Sequence, residues 1–178
     1  MMAVEMVVES IRQNLLAPHR IVVLKETGRE RYLPIVIGVA EADAISMRLQ
    51  NLEVPRPLTH DLLASVITAL GGRVTKIIVT DLTGETFFAR IVLDVDGRHV
   101  EVDSRPSDAI ALAVRVGVPI FVDEAVLQRG AVVPEGHERP VDGQEMEKTG
   151  ERIADEQLAV FKDIIDKLNL DDLGKGRH

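Results

Sequence analysis

The chain of 178 residues has no cysteine and no tryptophan. It can therefore build neither a disulfide framework nor a thiolate metal site, and a cysteine nucleophile is excluded. Aromatic residues are scarce. Tyr32, Phe87, Phe88, Phe121 and Phe161 are too few for the stacking platform of a single-strand binder. No apolar run approaches the roughly 20 residues of a membrane span, and the N-terminus lacks the charged and apolar regions of a signal peptide. A cytoplasmic protein with no membrane partner is the expectation. Positive charge is also short, with 21 Lys and Arg against 29 Asp and Glu for a net of −8, which argues against broad affinity for nucleic acid. There is no G-x-S-x-G elbow and no phosphate loop, and His19, His60 and His99 lack metal-ligand spacing along any one element.

What is present is a globular composition, 46% hydrophobic and 28% charged, long enough for one domain with a core and an appendage. The charge is uneven. Residues 135–178 carry 12 acids and 7 bases, whereas residues 1–134 carry 17 acids and 14 bases, of which 12 are arginine. Arginine forks onto phosphate or carboxylate in a way lysine does not, so those arginines form either a local phosphate groove or pairs with neighbouring acids.

Along the chain, Val4, Met6 and Val8 alternate as in a half-buried strand over 3–12. Residues 19–24 and 31–37 read as a hairpin, and Ile45, Leu49 and Leu52 recur at helical spacing over 41–52. Thr59 is a suitable N-cap for a second helix whose apolar stripe is Leu62, Leu63, Val66, Ile67 and Leu70. Residues 73–81 and 85–95 predict two strands joined at Thr83-Gly84. Residues 119–122 predict a strand and 124–129 a helical turn. From 130 to 150 the composition shifts to Pro, Gly and Glu without periodicity, predicting a mobile linker. Residues 151–178 carry Ile153, Leu158, Phe161, Ile164, Ile165 and Leu168 in a C-terminal amphipathic helix and tail that docks on its own domain or on a partner. A weak internal repeat is visible: Asp43-Ala44-Ile45 recurs as Asp108-Ala109-Ile110, and Val54-Pro55 as Val118-Pro119, each copy preceded by a hairpin.

The stretch 98–119, RHVEVDSRPSDAIALAVRVGVP, organises the rest. Val100 and Val102 point to one strand face and His99, Glu101 and Asp103 to the other. Pro106 suits a first helical turn, so a helix begins near Ser104 or Arg105, and no polar residue interrupts it between Asp108 and Arg115. The corner sets Asp103, Arg105 and Asp108 beside the free amides of a helix start, which attract anions.

DSRPSDAIALAVR, with LPIVIGVAEADAI at 33–45, RPLTHDLL at 56–63 and TFFARIVL at 86–93, resembles the bifunctional nuclease family over roughly residues 4–129. Val36 stands where that resemblance leads one to expect tryptophan. The resemblance implies an α+β domain over 1–129 and, from plant members, cleavage of both RNA and DNA. Phosphodiester hydrolysis needs charge stabilisation and an activated water, which Mg2+ or Mn2+ on carboxylates can supply. Asp103 and Asp108 are the leading ligands and Arg105 the phosphate clamp; the alternative is a dipole-favoured Asp108 with an Asp103–Arg105 ion pair. His60 and Asp61 are acid-base candidates or plain first-turn residues, and Glu41 and Asp43 a second metal pair or helix-start acids. Asp81, Glu85 and Asp94 are weaker candidates.

The sequence thus predicts an α+β fold of duplicated hairpin-helix units with mixed or antiparallel sheets. Its predicted activity is low-specificity, divalent-metal-dependent hydrolysis of RNA and DNA. The rival is a non-enzymatic oligomeric module that recognises an anion or a protein. A homo-oligomer, with a dimer foremost, is expected from the two edge strands.

Overall fold

Alternating apolar residues extend the chain and polar helix starts turn it, and the result is a computed structural model that describes residues 2–13 and 19–134. Three antiparallel strands come first, β1 (Ala3–Gln13), β2 (Arg20–Glu26) and β3 (Tyr32–Ile37), followed by the helix α1 (Val39–Leu49). After α2 (Thr59–Ala69) the same order returns: β4 (Gly72–Thr83), β5 (Thr86–Val95) and β6 (Arg98–Ser104) lead into α3 (Pro106–Val116). A short β7 (Ile120–Asp123) and α4 (Glu124–Gly130) follow.

The seven strands among the described residues form one mixed sheet in the order β3-β2-β1-β7-β4-β5-β6. β7 joins the two meanders, running antiparallel to β1 and parallel to β4. The parallel pairing requires a crossover, which α3 supplies. Gly117, at φ 71°, ends α3 in the left-handed conformation that lets the chain turn into β7. The Asp96-Gly97 turn joins β5 to β6 with both residues at positive φ, as a two-residue hairpin demands.

The helices lie on one face of the sheet. Met6, Val22, Leu24, Leu33, Ile35, Ile77, Val79 and Ile91 pack there against Ala42 and Ile45 of α1 and Ala109 to Ala113 of α3, with Val126 and Leu127 of α4. The uninterrupted apolar run of α3 is explained by this, since the helix is covered by the sheet and by α1 and α2 on its flanks. At the far end Arg31 bonds Glu26 at 2.6 Å and both oxygens of Glu124, at 2.7 and 2.9 Å, tying the β2-β3 turn to α4.

Three expectations change. α2 begins one residue earlier than a Thr59 cap implies: Leu58 is the N-cap, and Asp61 accepts its amide at 2.8 Å. The stripe expected to bury α2 faces solvent at Leu62, Leu63, Val66 and Leu70, while Ala64 and Ile67 make the core contact. Residues 130–132 do not behave as free linker, because Val132 exchanges two backbone hydrogen bonds with Tyr32. The rest of the expected linker and the expected C-terminal helix lie outside the described residues.

Candidate functional site

Three helix starts meet beside Arg105. Glu41 lies in the first turn of α1, His60 in the first turn of α2, and Asp108 in the first turn of α3, whose N-cap is Arg105 itself. The guanidinium donates Nε to Asp108 Oδ2 at 2.7 Å, and Nη2 to Glu41 Oε1 at 2.7 Å and Asp108 Oδ1 at 3.1 Å. Nη1 has no partner among the described residues, and the side chain is 66% exposed. One guanidinium edge is thus fixed by two carboxylates and the other faces solvent.

His60 is buried, and its Nε2 lies 3.1 Å from Asp108 Oδ1. Its Nδ1 is buried with no hydrogen-bond partner among the described residues. Burial pushes the Asp108 carboxyl upward, but the Arg105 guanidinium and His60 together outweigh it and hold the group below the usual carboxylate range. Asp108 and then Glu41 hold Arg105 more firmly protonated. Gly38, the N-cap of α1, leaves room for this arrangement: a Cβ there would collide with the Glu41 carboxylate.

Asp61, one residue on, faces the other way. Its Oδ1 accepts Arg115 Nε at 2.7 Å, and Arg115 also donates to the carbonyls of Ala111 at 2.8 Å and Ala44 at 3.0 Å. Arg48 reaches the Val114 carbonyl at 3.3 Å. These residues pin α1, α2 and α3 together and, with Arg56, line an open cleft of about 550 Å³. Burial raises the Asp61 carboxyl, and the Leu58 amide with Arg115 lowers it further than that, leaving it below its ordinary value.

Of the predicted residues, the structure brings together Arg105, Asp108, Glu41 and His60, and places Asp61 in the adjoining lock. Asp103 is not with them. It is the Cα partner of Arg90, so it shares the sheet face of Arg90 and Glu101, whereas Val102 and Ile91 share the helix-covered face. The expected Asp103–Asp108 ligand pair and the Asp103–Arg105 ion pair are therefore not formed. Asp43 is exposed, with no partner among the described residues. Asp81 bonds Arg129 at 2.8 Å and Asp94 bonds Arg73 at 3.3 Å, as surface pairs.

A divalent ion needs several oxygen or nitrogen donors converging on one point. Among the described residues no three His, Asp or Glu side chains do so, and the cation between Glu41 and Asp108 is Arg105. The donor set of this corner does not fit Mg2+ or Mn2+.

A family model described as the bifunctional nuclease domain matches residues 22–135, from β2 to just beyond α4. The chain belongs to the bifunctional nuclease domain family. An uncharacterized protein of Mycobacterium tuberculosis (strain H37Rv) is 40% identical over 153 residues, 85% of this chain and 87% of its own. "Bifunctional nuclease 1" of Oryza sativa subsp. indica is 31% identical over 114 residues, 62% of this chain and 34% of its own. "Bifunctional nuclease 2" of Arabidopsis thaliana is 34% identical over 112 residues, 61% of this chain and 34% of its own. The chain thus spans about a third of the length of those plant proteins. In this bifunctional nuclease domain the matched region contains every member of the Arg105 corner and of the Asp61 lock. Sequence reasoning missed Arg115 and Arg48; the available signal was that Arg115 follows Asp108 by seven residues and so lies on the same helix face. No helix among the described residues is long and apolar enough to cross a membrane.

Proposed function

We propose that this bifunctional nuclease domain hydrolyses phosphodiester bonds of RNA and DNA with low specificity at the Arg105 corner. The observation that carries the reading is the guanidinium held by Glu41 and Asp108 where three helix starts meet, with its Nη1 edge open to solvent. Helix starts and arginine both favour the phosphate dianion-like charge that builds as water attacks phosphorus. Arg105 binds a non-bridging oxygen through Nη1. Water forms the new O–P bond, the P–O bond to the leaving oxygen breaks, and Asp108 takes the water proton and returns it to that oxygen while the buried His60 orients the carboxylate. Positioning and charge stabilisation carry most of the rate in such a reaction.

A second reading has an observation of its own. Both Asp108 oxygens and one Glu41 oxygen are already bonded, so the same corner serves as a clamp that joins three helices in a non-enzymatic binding module. Purified protein incubated with labelled single- and double-stranded RNA and DNA separates the two. Arms with magnesium, with manganese and with chelator test the metal dependence expected from sequence. Cleavage that is lost in Arg105→Gln supports the nuclease; intact substrates in every arm, beside a nuclease control that cuts them, leave the clamp.

A further inference from the structure

β6 is an edge strand: among the described residues it has β5 on one side and no strand on the other. Exposed edges invite pairing, and proteins commonly block them with proline, bulges or a covering segment. The opposite edge is blocked in this way, since β3 contains Pro34 and Tyr32 is bridged by Val132. β6 has no proline, and its pairing with β5 is regular from Arg98 to Ser104. Its helix-side residues Val100 and Val102 are 39% and 42% exposed. Ile67 packs against Gly72 beside Val95, and Val95 pairs with Arg98, so the C-terminal end of α2 lies at the end of the sheet where β6 begins. Leu62, Val66 and Leu70 of that helix are exposed, Leu70 by 77%.

We propose that β6 pairs antiparallel with β6 of a second copy of this chain, about a twofold axis through Val100, making one continuous sheet of two domains. Side-chain parity and charge select the register. Residues opposite one another must share a face, so a symmetric pairing has its axis on a residue. An axis on Glu101 opposes it to its own copy, and an axis on Val102 opposes Glu101 to Asp103; both set like charges together. An axis on Val100 opposes His99 to Glu101 twice and Val100 to Val100, and lays the Arg98 stem over Val102. Glu101 Oε2 accepts Arg90 Nη1 at 2.9 Å, which leaves Oε1 for His99 of the second copy.

The cysteine-free chain permits a direct test of the register. Sedimentation equilibrium of the full chain should give twice the 19.6 kDa chain mass, and Val100→Lys should give the single mass with unchanged far-UV circular dichroism. Under oxidation Val100→Cys should crosslink, because opposed Cα atoms lie about 4.5–5.5 Å apart, whereas Val102→Cys should not, its copies being about 13 Å apart along the strands. His99→Glu should weaken the dimer about tenfold, and the exchanged double variant His99→Glu/Glu101→His should restore it. A single-chain mass for the wild type, equal crosslinking at both cysteines, or no recovery in the exchanged variant would each overturn the proposal.

Discussion

Replacing Asp61 by alanine removes two interactions at once, and their sizes can be worked from the structure. The first is the bond from Arg115, whose side chain is only 5% exposed. A hydrogen bond to a charged group contributes about 1.5–3 kcal/mol, and stranding a fully buried partner costs about 3–5 kcal/mol. Asp61 is a third exposed, so water reaches the vacated position, and the Ala111 and Ala44 carbonyls still hold the guanidinium; the lower figure of about 1.5 kcal/mol applies. The second is the bond to the Leu58 amide, a capping interaction of about 1 kcal/mol. Together they give about 2.5 kcal/mol, which lowers the melting temperature of a domain this size by about 8–10 °C. Asp61→Asn keeps an acceptor for Leu58 and loses the charge, for a drop of about 4 °C. Thermal unfolding followed by circular dichroism distinguishes the two. An Asp61→Ala protein melting within about 2 °C of wild type, or an Asn variant as damaged as the Ala variant, would refute the assignment of Arg115 and Leu58 as the partners that matter.

Three further outcomes follow from the same geometry. Gly38→Ala, at φ −70° and ψ 159° where alanine is unstrained, forces the Glu41 carboxylate off Arg105, so cleavage should fall while the melting temperature changes little; full activity would mean that Glu41 does not set the Arg105 position. Asp103→Asn should leave both cleavage and melting near wild type, because Asp103 lies on the sheet face away from the helices; a large loss of cleavage would return Asp103 to the site. Asp61 and Asp108 both titrate below their ordinary range, so their stabilisation is complete above the unfolded carboxyl value of about 4 and is lost as pH falls through the lower folded values. Urea midpoints should hold from neutrality to about pH 5 and then decline, and the gap between wild type and Asp61→Ala should narrow on the acid side; a gap that widens with acid contradicts the sign.

Much of the fold was legible because its signals are local. The alternation of Val4, Met6 and Val8, the Asp96-Gly97 turn, and the covered run from Ala109 to Ala113 each follow from spacing alone. α2 shows where that logic stops. Periodicity identifies an apolar stripe without saying which way it faces, and here Ala64 and Ile67 take the core while the leucines face out. The candidate site was half legible for a related reason. Asp108, His60 and Glu41 read from the sequence as helix-start residues and Arg105 as the clamp beside them, and three first turns do converge on Arg105. Asp103 was grouped with Asp108 because only four positions separate them, yet strand alternation turns Asp103 to the opposite sheet face. Arg115 escaped notice because its partner Asp61 is 54 residues away, a contact that depends on how α2 crosses α3.

The central claim is that Arg105 acts on a phosphodiester and does not merely join helices. The most direct measurement compares initial cleavage rates of labelled RNA by wild type and Arg105→Gln, with melting temperatures recorded for both. The account predicts a rate loss of about 100-fold or more with only a few degrees of melting change, since removing a charge-stabilising donor costs about 10²–10³ in rate. Equal rates in the two proteins, or loss of cleavage that tracks loss of folding, would contradict it.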